Sequence, residues 1–145
     1  MINTSNLNQA RKEIHKLKKE NKQIIVKAQD NEFNRKIIEI KDVDVLISPE
    51  INNRKDSLKQ RDSGLNEVLC KIASKNNIAI GIDLNEIKRK PKKEKAVILS
   101  RIMQNIRLCK KTKTRILLFP KQKKQDILGF FVSLKASTEQ AKKAC

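Results

Sequence analysis

The sequence predicts an α/β fold in which parallel strands alternate with helices, arranged as an open sheet or a partial barrel. Four short apolar runs rich in Ile, Val and Leu show little in-and-out alternation, as is typical of strands covered on both faces: Ile24–Ala28, Val43–Ser48, Ile78–Leu84 and Ile116–Phe119. Segments with helical spacing separate them, which favours a parallel sheet with right-handed crossovers. The 145 residues are too few for a closed eight-stranded barrel, which takes about 250 residues.

Helices are predicted between and around these strands. Two segments have a clear apolar helical face, made of Leu65, Val68, Leu69, Ile72 and Ala73 in the first and of Ile98, Leu99, Ile102, Met103, Ile106 and Cys109 in the second. Weaker helices are predicted over Asn31–Ile40 and Asp126–Leu134.

Three regions are predicted along the chain. Residues 1–20 form a basic helix whose thin apolar stripe either packs across the sheet or binds a partner: Leu7, Ala10, Ile14 and Leu17. Residues 21–135 form the α/β domain, and residues 136–145 form a small, polar C-terminal tail.

The charge indicates a polyanionic partner. Lys and Arg number 34 against 16 Asp and Glu, which gives a formal net charge of +18, and phosphates or acidic lipids most simply offset such self-repulsion. The alternative is a lysine-rich protein without such a partner. Because the chain has four Phe and neither Tyr nor Trp, base stacking is disfavoured and contacts to the phosphates and 2′-hydroxyls of a folded RNA fit better.

The cysteines and the hydropathy predict a cytoplasmic protein with no membrane partner. No apolar run approaches the ~20 residues of a membrane span, and the N-terminus lacks the apolar run of a secretory signal. Cys70 and Cys109 lie on predicted apolar helix faces, which favours buried free thiols. No CxxC pair is present, so no zinc site is expected.

The candidate site is the polar loop that follows the second strand. It carries Arg54, Lys55, Lys59 and Arg61, and Asp62 and Ser63 are predicted to cap a helix that Gly64 and Leu65 open. Loops at the carboxyl ends of parallel strands are the usual ligand side of such sheets, and basic side chains beside a helix N-terminus suit a phosphate. A solvated loop before an ordinary capped helix is the alternative.

The helix around Ile102 is predicted to add basic and amide side chains on the face opposite its apolar stripe. These residues are Arg101, Gln104, Arg107 and Lys111, with Lys110 beside them. The basic run at 88–95 before this helix is either a solvated loop or part of the same surface.

Catalysis by the chain itself is not predicted. His15 is its one histidine, and Glu50, Asp83 and Glu86 near strand ends are too few carboxylates for a hydrolytic metal centre. Three scattered glycines form no phosphate-cradling loop. We therefore predict no catalytic residue, no metal ligand and no cofactor bound by the chain.

Three stretches, in this order, resemble ribonuclease P protein component 3, the archaeal relative of the thirty-kilodalton eukaryotic subunit. They are DVDVLISPE at 42–50, RDSGLNEVLCKIASKNNIAIGIDLNEI at 61–87 and EKAVILSRIMQNIRLCKK at 94–111. The positions that match the family pattern are Asp42, Asp44, Pro49, Glu50, Arg61, Asp62, Ser63, Gly64, Asn85, Asn105, Arg107 and Leu108. The likeness spans roughly residues 38–118.

This resemblance implies a shortened, incomplete TIM-like barrel of the type found in metal-dependent phosphoesterases (PHP-type). It implies a non-catalytic subunit of ribonuclease P, the endoribonuclease that matures the 5′ end of precursor tRNA with an RNA active site that requires Mg²⁺. The implied partners are ribonuclease P RNA, protein component 2, the other protein subunits and, indirectly, precursor tRNA. The expected RNA- or partner-binding residues are Arg54, Lys55, Arg61, Asp62, Ser63, Gly64, Arg101, Arg107, Lys110 and Lys111.

The chain departs from the family pattern in two places. A basic-Asp-Ser element occurs twice, at 54–57 and at 61–64, and the second is favoured as the family motif because it leads straight into a helix. The family's Ser/Thr-Asp-Ala turn is replaced after Arg115–Pro120 by a lysine-rich segment without the Asp. Two other functions stay open: a basic scaffold of another ribonucleoprotein such as the ribosome, and a metal phosphoesterase.

Overall fold

The fold, taken from a computed structural model that describes residues 1–145, confirms the predicted alternation of parallel strands and helices. The elements in chain order are α1 (Leu7–Lys19), β1 (Ile25–Lys27), α2 (Asn31–Ile38), β2 (Val45–Ile47), α3 (Glu67–Lys75), β3 (Ala79–Asp83), α4 (Leu84–Arg89), α5 (Lys92–Thr112), β4 (Ile116–Phe119), α6 (Lys124–Ser133) and α7 (Thr138–Lys143). Each predicted strand is found, shortened by two or three residues in three of the four cases.

The four strands form one parallel sheet in the order β1-β2-β3-β4. Because each strand lies beside its predecessor, the sheet has the order of one half of an eight-stranded α/β barrel. The outer edge of β1 is partly covered by Ile2, which bridges to Val26. The outer edge of β4 carries no further strand, so the sheet is open on that side.

The two faces of the sheet are buried to different extents. Side chains alternate along a strand, and the face that carries Val26, Leu46 and Ile80 belongs to the main core with the helices. The opposite face has a small apolar cluster of buried Val45, Ile47 and Ala79, against which half-buried side chains pack: Ile25, Leu117 and Phe119. The prediction of strands covered on both faces is therefore right for β2, whose residues are all buried, and only partly right for β1 and β4.

The helices at the two ends of the chain pack onto the same core. Ala10 and Ile14 of α1 are buried there, so the apolar stripe of this helix packs within the chain. Near the C-terminus, Ala141 and Ala144 are also buried, and α7 begins with a capping box formed by Ser137 and Gln140. The division of the chain into three regions at residues 20 and 135 stays a prediction.

Several local predictions need correction. The cap of α3 is Asn66, whose side chain accepts from the Leu69 N–H, and not Asp62 or Ser63. Val68, predicted on the apolar face of α3, is 58% exposed. The basic run at 88–95 lies largely within α4 and the start of α5, because Asp83 caps a short helix that the periodicity did not indicate. No helix has the length and apolar character that crossing a membrane requires.

Candidate RNA-binding surface

The loop between β2 and α3 covers the carboxyl ends of the strands, and its path is fixed by a close backbone contact. Residues 48–66 leave the sheet at Ser48, turn, and come back so that Gly64 lies directly on Pro49. A methyl group on Gly64 would be 2.0 Å from the Pro49 carbonyl oxygen, and the φ of Gly64 is +77°. Only glycine meets both conditions without strain, which gives the R-D-S-G element a structural reason for its glycine.

Arg101 of α5 binds this loop through hydrogen bonds to several of its backbone carbonyls and to one carboxylate. Its Nη1 donates to the carbonyl oxygens of Glu50 and Asn52 at 3.1 and 3.2 Å. Nη2 donates to the Arg54 carbonyl at 2.9 Å, and Nε and Nη2 donate to Asp56 Oδ1 at 3.2 and 3.1 Å. The side chain is 7% exposed. The prediction that Arg101 lies on the exposed face of its helix is therefore wrong, because its guanidinium supplies donors that the loop carbonyls lack.

Asp56 joins the two basic-Asp-Ser elements to each other. Besides Arg101, its carboxylate accepts from the Asp62 N–H at 2.6 Å and from Arg61 Nη1 at 2.9 Å. Desolvation acts to raise the pKa of Asp56, but the hydrogen bonds from Asp62, Arg61 and Arg101 outweigh it and hold this pKa below its ordinary value. The first element thus supplies the carboxylate that orders the second, so the two elements form one structural unit.

The remaining residues of the R-D-S-G element form hydrogen bonds that fix the backbone of the loop. Asp62 Oδ1 accepts from the Gly64 N–H at 3.2 Å and lies 3.2 Å from Arg54 Nη2. Ser63 is buried, and its carbonyl accepts from Asn105 Nδ2 at 3.2 Å. The predicted binding residues Asp62, Ser63 and Gly64 therefore shape the loop, and the side chains that face solvent are the basic ones.

The exposed basic residues of the loop meet α5 at a groove of about 440 Å³. Arg61 and Lys59 line one side and Arg107 the other, together with Gln60, Ser100, Met103 and Gln104. Lys55 and Arg61 also border a neighbouring depression in front of Asn66. We call these four cations, Lys55, Lys59, Arg61 and Arg107, the loop surface. The structure thus brings together Lys55, Arg61 and Arg107 from the predicted set.

The three remaining predicted cations do not line this groove. Lys111 Nζ is 2.6 Å from Glu67 Oε2, and Glu67 has its pKa lowered to about 2 by Lys111 and Lys71. Arg54 is half-buried behind the loop. Lys110 is exposed but lies about one helical turn beyond Arg107 and lines a different cleft, next to α7. These three residues do not contribute to the groove.

An acidic group is buried near the carboxyl ends of the strands. Glu50 is fully buried, and neither of its carboxylate oxygens has a hydrogen-bond partner. The pKa of Glu50 is raised to about 8, mainly by desolvation and to a smaller extent by the nearby negative charges of Glu86 and Asp83. Lys27 Nζ pairs with Glu86 at 2.8 Å. No group of three or more His, Cys, Asp or Glu is placed to hold a metal ion.

The sequence contained a signal for the loop scaffold that its interpretation missed. Arg101 and Asn105 follow Ile98 by three and seven residues, which places both on the helical face of Ile98, Ile102 and Cys109. Polar residues on an apolar helix face indicate a buried network. Asp56, by contrast, has no periodicity to mark it, because it lies in an irregular loop.

The comparisons agree with the resemblance found in the motifs. The chain is similar to ribonuclease P protein component 3 of Methanococcus maripaludis strain C6 (29% identity over 117 residues, 81% of this chain and 47% of the relative). The relatives from Methanocaldococcus jannaschii and Methanothermobacter thermautotrophicus show 29% and 30% identity over 76% and 77% of this chain. The chain spans about half the length, or slightly less, of the curated relatives it matches. No family model matches the sequence.

A solved structure has the same fold. A chain in the cryo-EM structure of archaeal ribonuclease P with mature tRNA superposes with a TM-score of 0.80 at 24% identity. The alignment covers 99% of this chain and 62% of that one. The predicted resemblance and the predicted α/β fold class are both confirmed.

Proposed function

We propose that this chain, a relative of ribonuclease P protein component 3, is a non-catalytic protein subunit that supports RNA-catalysed 5′ maturation of precursor tRNA. The observation that carries the proposal is the loop surface. A buried scaffold of Arg101, Asp56 and Gly64 presents Arg61 and its neighbours at a groove beside Arg107. Gly64 and Arg101 of this scaffold lie within the stretches that resemble the family pattern, at 61–87 and 94–111.

The chemistry of the surface suits RNA better than a small substrate. The groove contains basic and amide side chains with one Met and one Ser, and its opening is wide. Guanidinium groups bind phosphate oxygens through paired N–H donors. In this proposal hydrolysis belongs to the catalytic RNA and its Mg²⁺, and this chain contributes cations and a fixed shape.

The open side of the sheet gives a place for a protein partner. Ile25, Leu117 and Phe119 are only half-buried on the second face, and the outer edge of β4 is unpaired. We infer that protein component 2 covers this side in the assembled particle, together with any further part of the barrel. The buried free thiols of Cys70 and Cys109 fit assembly in the cytoplasm.

The test is 5′ cleavage of precursor tRNA by an archaeal ribonuclease P RNA at low Mg²⁺, with component 2, with and without this chain. We expect stimulation only when both proteins are present. Arg61→Ala should reduce this stimulation and raise the Mg²⁺ requirement. The matched control is Arg11→Ala, which removes an exposed arginine of α1 that forms no ion pair.

Each other outcome points to a different function. Absence of stimulation with folded protein, together with co-purification of ribosomal RNA, would favour a scaffold of another ribonucleoprotein. Hydrolysis of a phosphoester with added divalent metal and no RNA would favour a metal phosphoesterase. Unchanged stimulation by Arg61→Ala would remove Arg61 from the functional surface and leave the subunit assignment standing.

A further inference from the structure

A second basic surface lies at the opposite edge of the sheet, where the strands begin. The C-terminal end of α5, the residues that lead into β4, and α7 enclose a cleft of about 390 Å³. Four exposed cations line it: Lys110, Lys113, Arg115 and Lys143. We call this cavity, with the four cations that line it, the α5–α7 cleft.

The cleft has a clear excess of positive charge. Its one carboxylate, Glu139, is bound to Lys143 Nζ at 2.6 Å. The pKa of Glu139 is lowered first by Lys143 and then by the positive charges of Lys110 and Lys113. Lys110, Lys113 and Arg115 have no ion-pair partner of their own. Three cations are therefore free to meet an external anion.

The folded chain holds these residues in place. Gln140 Nε2 of α7 donates to the Ile106 carbonyl of α5 at 2.9 Å, and Ala141 and Ala144 are buried. Arg115 Nη2 donates to the Asn77 carbonyl at 3.1 Å, which orients its guanidinium along the start of the sheet. The segment after residue 135, which the sequence presents as a tail, thus forms one wall of the cleft.

We propose that the α5–α7 cleft binds phosphates of a folded RNA and is a second RNA contact of this chain, a proposal that rests on the proposed function for the identity of the RNA. The lining is basic and polar, with Thr114, Ser137 and Gln140 as additional hydrogen-bonding groups and two apolar residues, Cys109 and Ile116. No aromatic side chain is present to stack a base or anchor a peptide. Phosphate oxygens match this set of donors.

The position of the cleft gives the chain two contacts with one RNA. Arg107 of the loop surface and Lys110 of the cleft lie three residues apart on α5, a rise of about 4.5 Å along the helix. A helix backbone is stiff on this scale, so α5 fixes the spacing between the two surfaces. An RNA that binds both would be held in one orientation.

The first experiment measures how the affinity for an archaeal ribonuclease P RNA depends on salt. Removing two phosphate contacts lowers the slope of log K against log salt by about 2. We expect this result, with roughly a three- to tenfold loss of affinity per contact near 0.1 M salt, for Lys113→Gln combined with Arg115→Gln. The matched control is Lys12→Gln with Lys19→Gln on α1, which removes the same charge from exposed residues without ion pairs and should leave the slope within about 0.5 of the parent protein.

The second experiment uses the exposed thiol of Cys145, which follows the cleft residue Lys143 by two positions. Cys145 is exposed, whereas Cys70 and Cys109 are buried, so an iron-chelate reagent attaches at Cys145. We expect hydroxyl radicals from this site to cleave the bound RNA at defined positions. In a Cys145→Ser chain with the reagent at Lys12→Cys, those positions should be spared.

The outcomes separate this proposal from the proposed function. RNA binding by the parent protein with an unchanged slope in the double variant, or with no cleavage from Cys145, would overturn the cleft as an RNA contact while the subunit role stands. An unchanged slope with lost binding to component 2 would overturn it in favour of a protein interface. Absence of RNA binding by the parent protein would overturn both.

Discussion

The loop over the carboxyl ends of the strands and the cleft at their amino ends use the same residue types in opposite ways. In the loop, Arg101 and Asp56 are buried against each other, and Arg61 is tied to the same carboxylate. In the cleft, Lys110, Lys113 and Arg115 are exposed and unpaired. The charged side chains of the loop form ion pairs with each other, whereas those of the cleft are available to bind a partner. Substitutions in the loop scaffold should therefore change stability, and substitutions in the cleft should change binding.

Arg101→Met gives the largest effect that this comparison predicts. The substitution leaves three loop carbonyls and Asp56 without their buried donor, and breaking a buried ion pair costs about 3–5 kcal/mol of stability. The matched control is Arg107→Met on the same helix, whose side chain is exposed and should cost within about 0.5 kcal/mol. Urea unfolding of both variants measures the difference.

Equal losses of stability in Arg101→Met and Arg107→Met would contradict the scaffold role of Arg101. In that case the loop would be held by its backbone contacts alone. A loss confined to Arg101→Met, with RNA affinity reduced as well, would show that the loop surface depends on its buried scaffold.

Glu50 allows a second test of the loop region, in which the free energy of unfolding is measured as a function of pH. The pKa of Glu50 is raised from 4.5 to about 8 in the folded chain. Between pH 4.5 and about pH 8, Glu50 is therefore protonated in the folded state and ionised in the unfolded state. The stabilisation present below pH 4.5 is therefore lost progressively as the pH rises to about 8, by about 1.4 kcal/mol per pH unit. Glu50→Gln should remove this slope, as measured by urea unfolding from pH 5 to pH 8.

The control for Glu50 is Glu32→Gln, which replaces a 79% exposed carboxylate and should keep the slope of the parent protein. The same slope in the Glu50→Gln variant would show that Glu50 is ionised in the folded chain and has a partner or access to water.

Most of the fold was predictable from the sequence because it depends on periodic apolar residues. The runs at Ile24, Val43, Ile78 and Ile116 indicated the four strands, and the helical segments between them indicated that the strands are parallel. The buried loop scaffold was not predicted, since Asp56 acts across 45 residues on Arg101 and no local pattern connects them. Lys110 was predicted to bind RNA or a partner, but the contribution of α7 to its surroundings depends on how the C-terminal segment packs. Pairing between distant residues is what sequence periodicity does not contain.

Gly64→Ala gives a smaller loss that tests the close contact in the loop. A Cβ atom would meet the Pro49 carbonyl oxygen at 2.0 Å, and the φ of +77° disfavours any side chain. We expect a loss of about 2–3 kcal/mol from the left-handed backbone and the displaced loop. The control is Gly129→Ala within α6, where the new methyl group meets nothing within 4 Å and should add up to about 1 kcal/mol. A change of the same sign in both variants would contradict the contact.

Lys113→Gly gives the smallest change in stability. It also distinguishes most directly between an effect on the fold and an effect on RNA binding. Lys113 ends α5 in the left-handed conformation, with a φ of 57°, where glycine avoids a steric cost and should raise the free energy of unfolding by about 1 kcal/mol or less. Because a cation of the α5–α7 cleft is lost, the slope of log K against log salt for RNA should fall by about 1 at the same time.

The matched control is Lys135→Gly, which replaces a lysine of similar conformation, with a φ of 65°, after α6 and outside the cleft. This variant should show the same gain in stability with an unchanged slope. A fall in the slope for both variants would mean that RNA responds to the total charge of the chain and not to the cleft. A fall for Lys113→Gly alone, in a protein that has become more stable, cannot come from damage to the fold and would assign the loss to one phosphate contact.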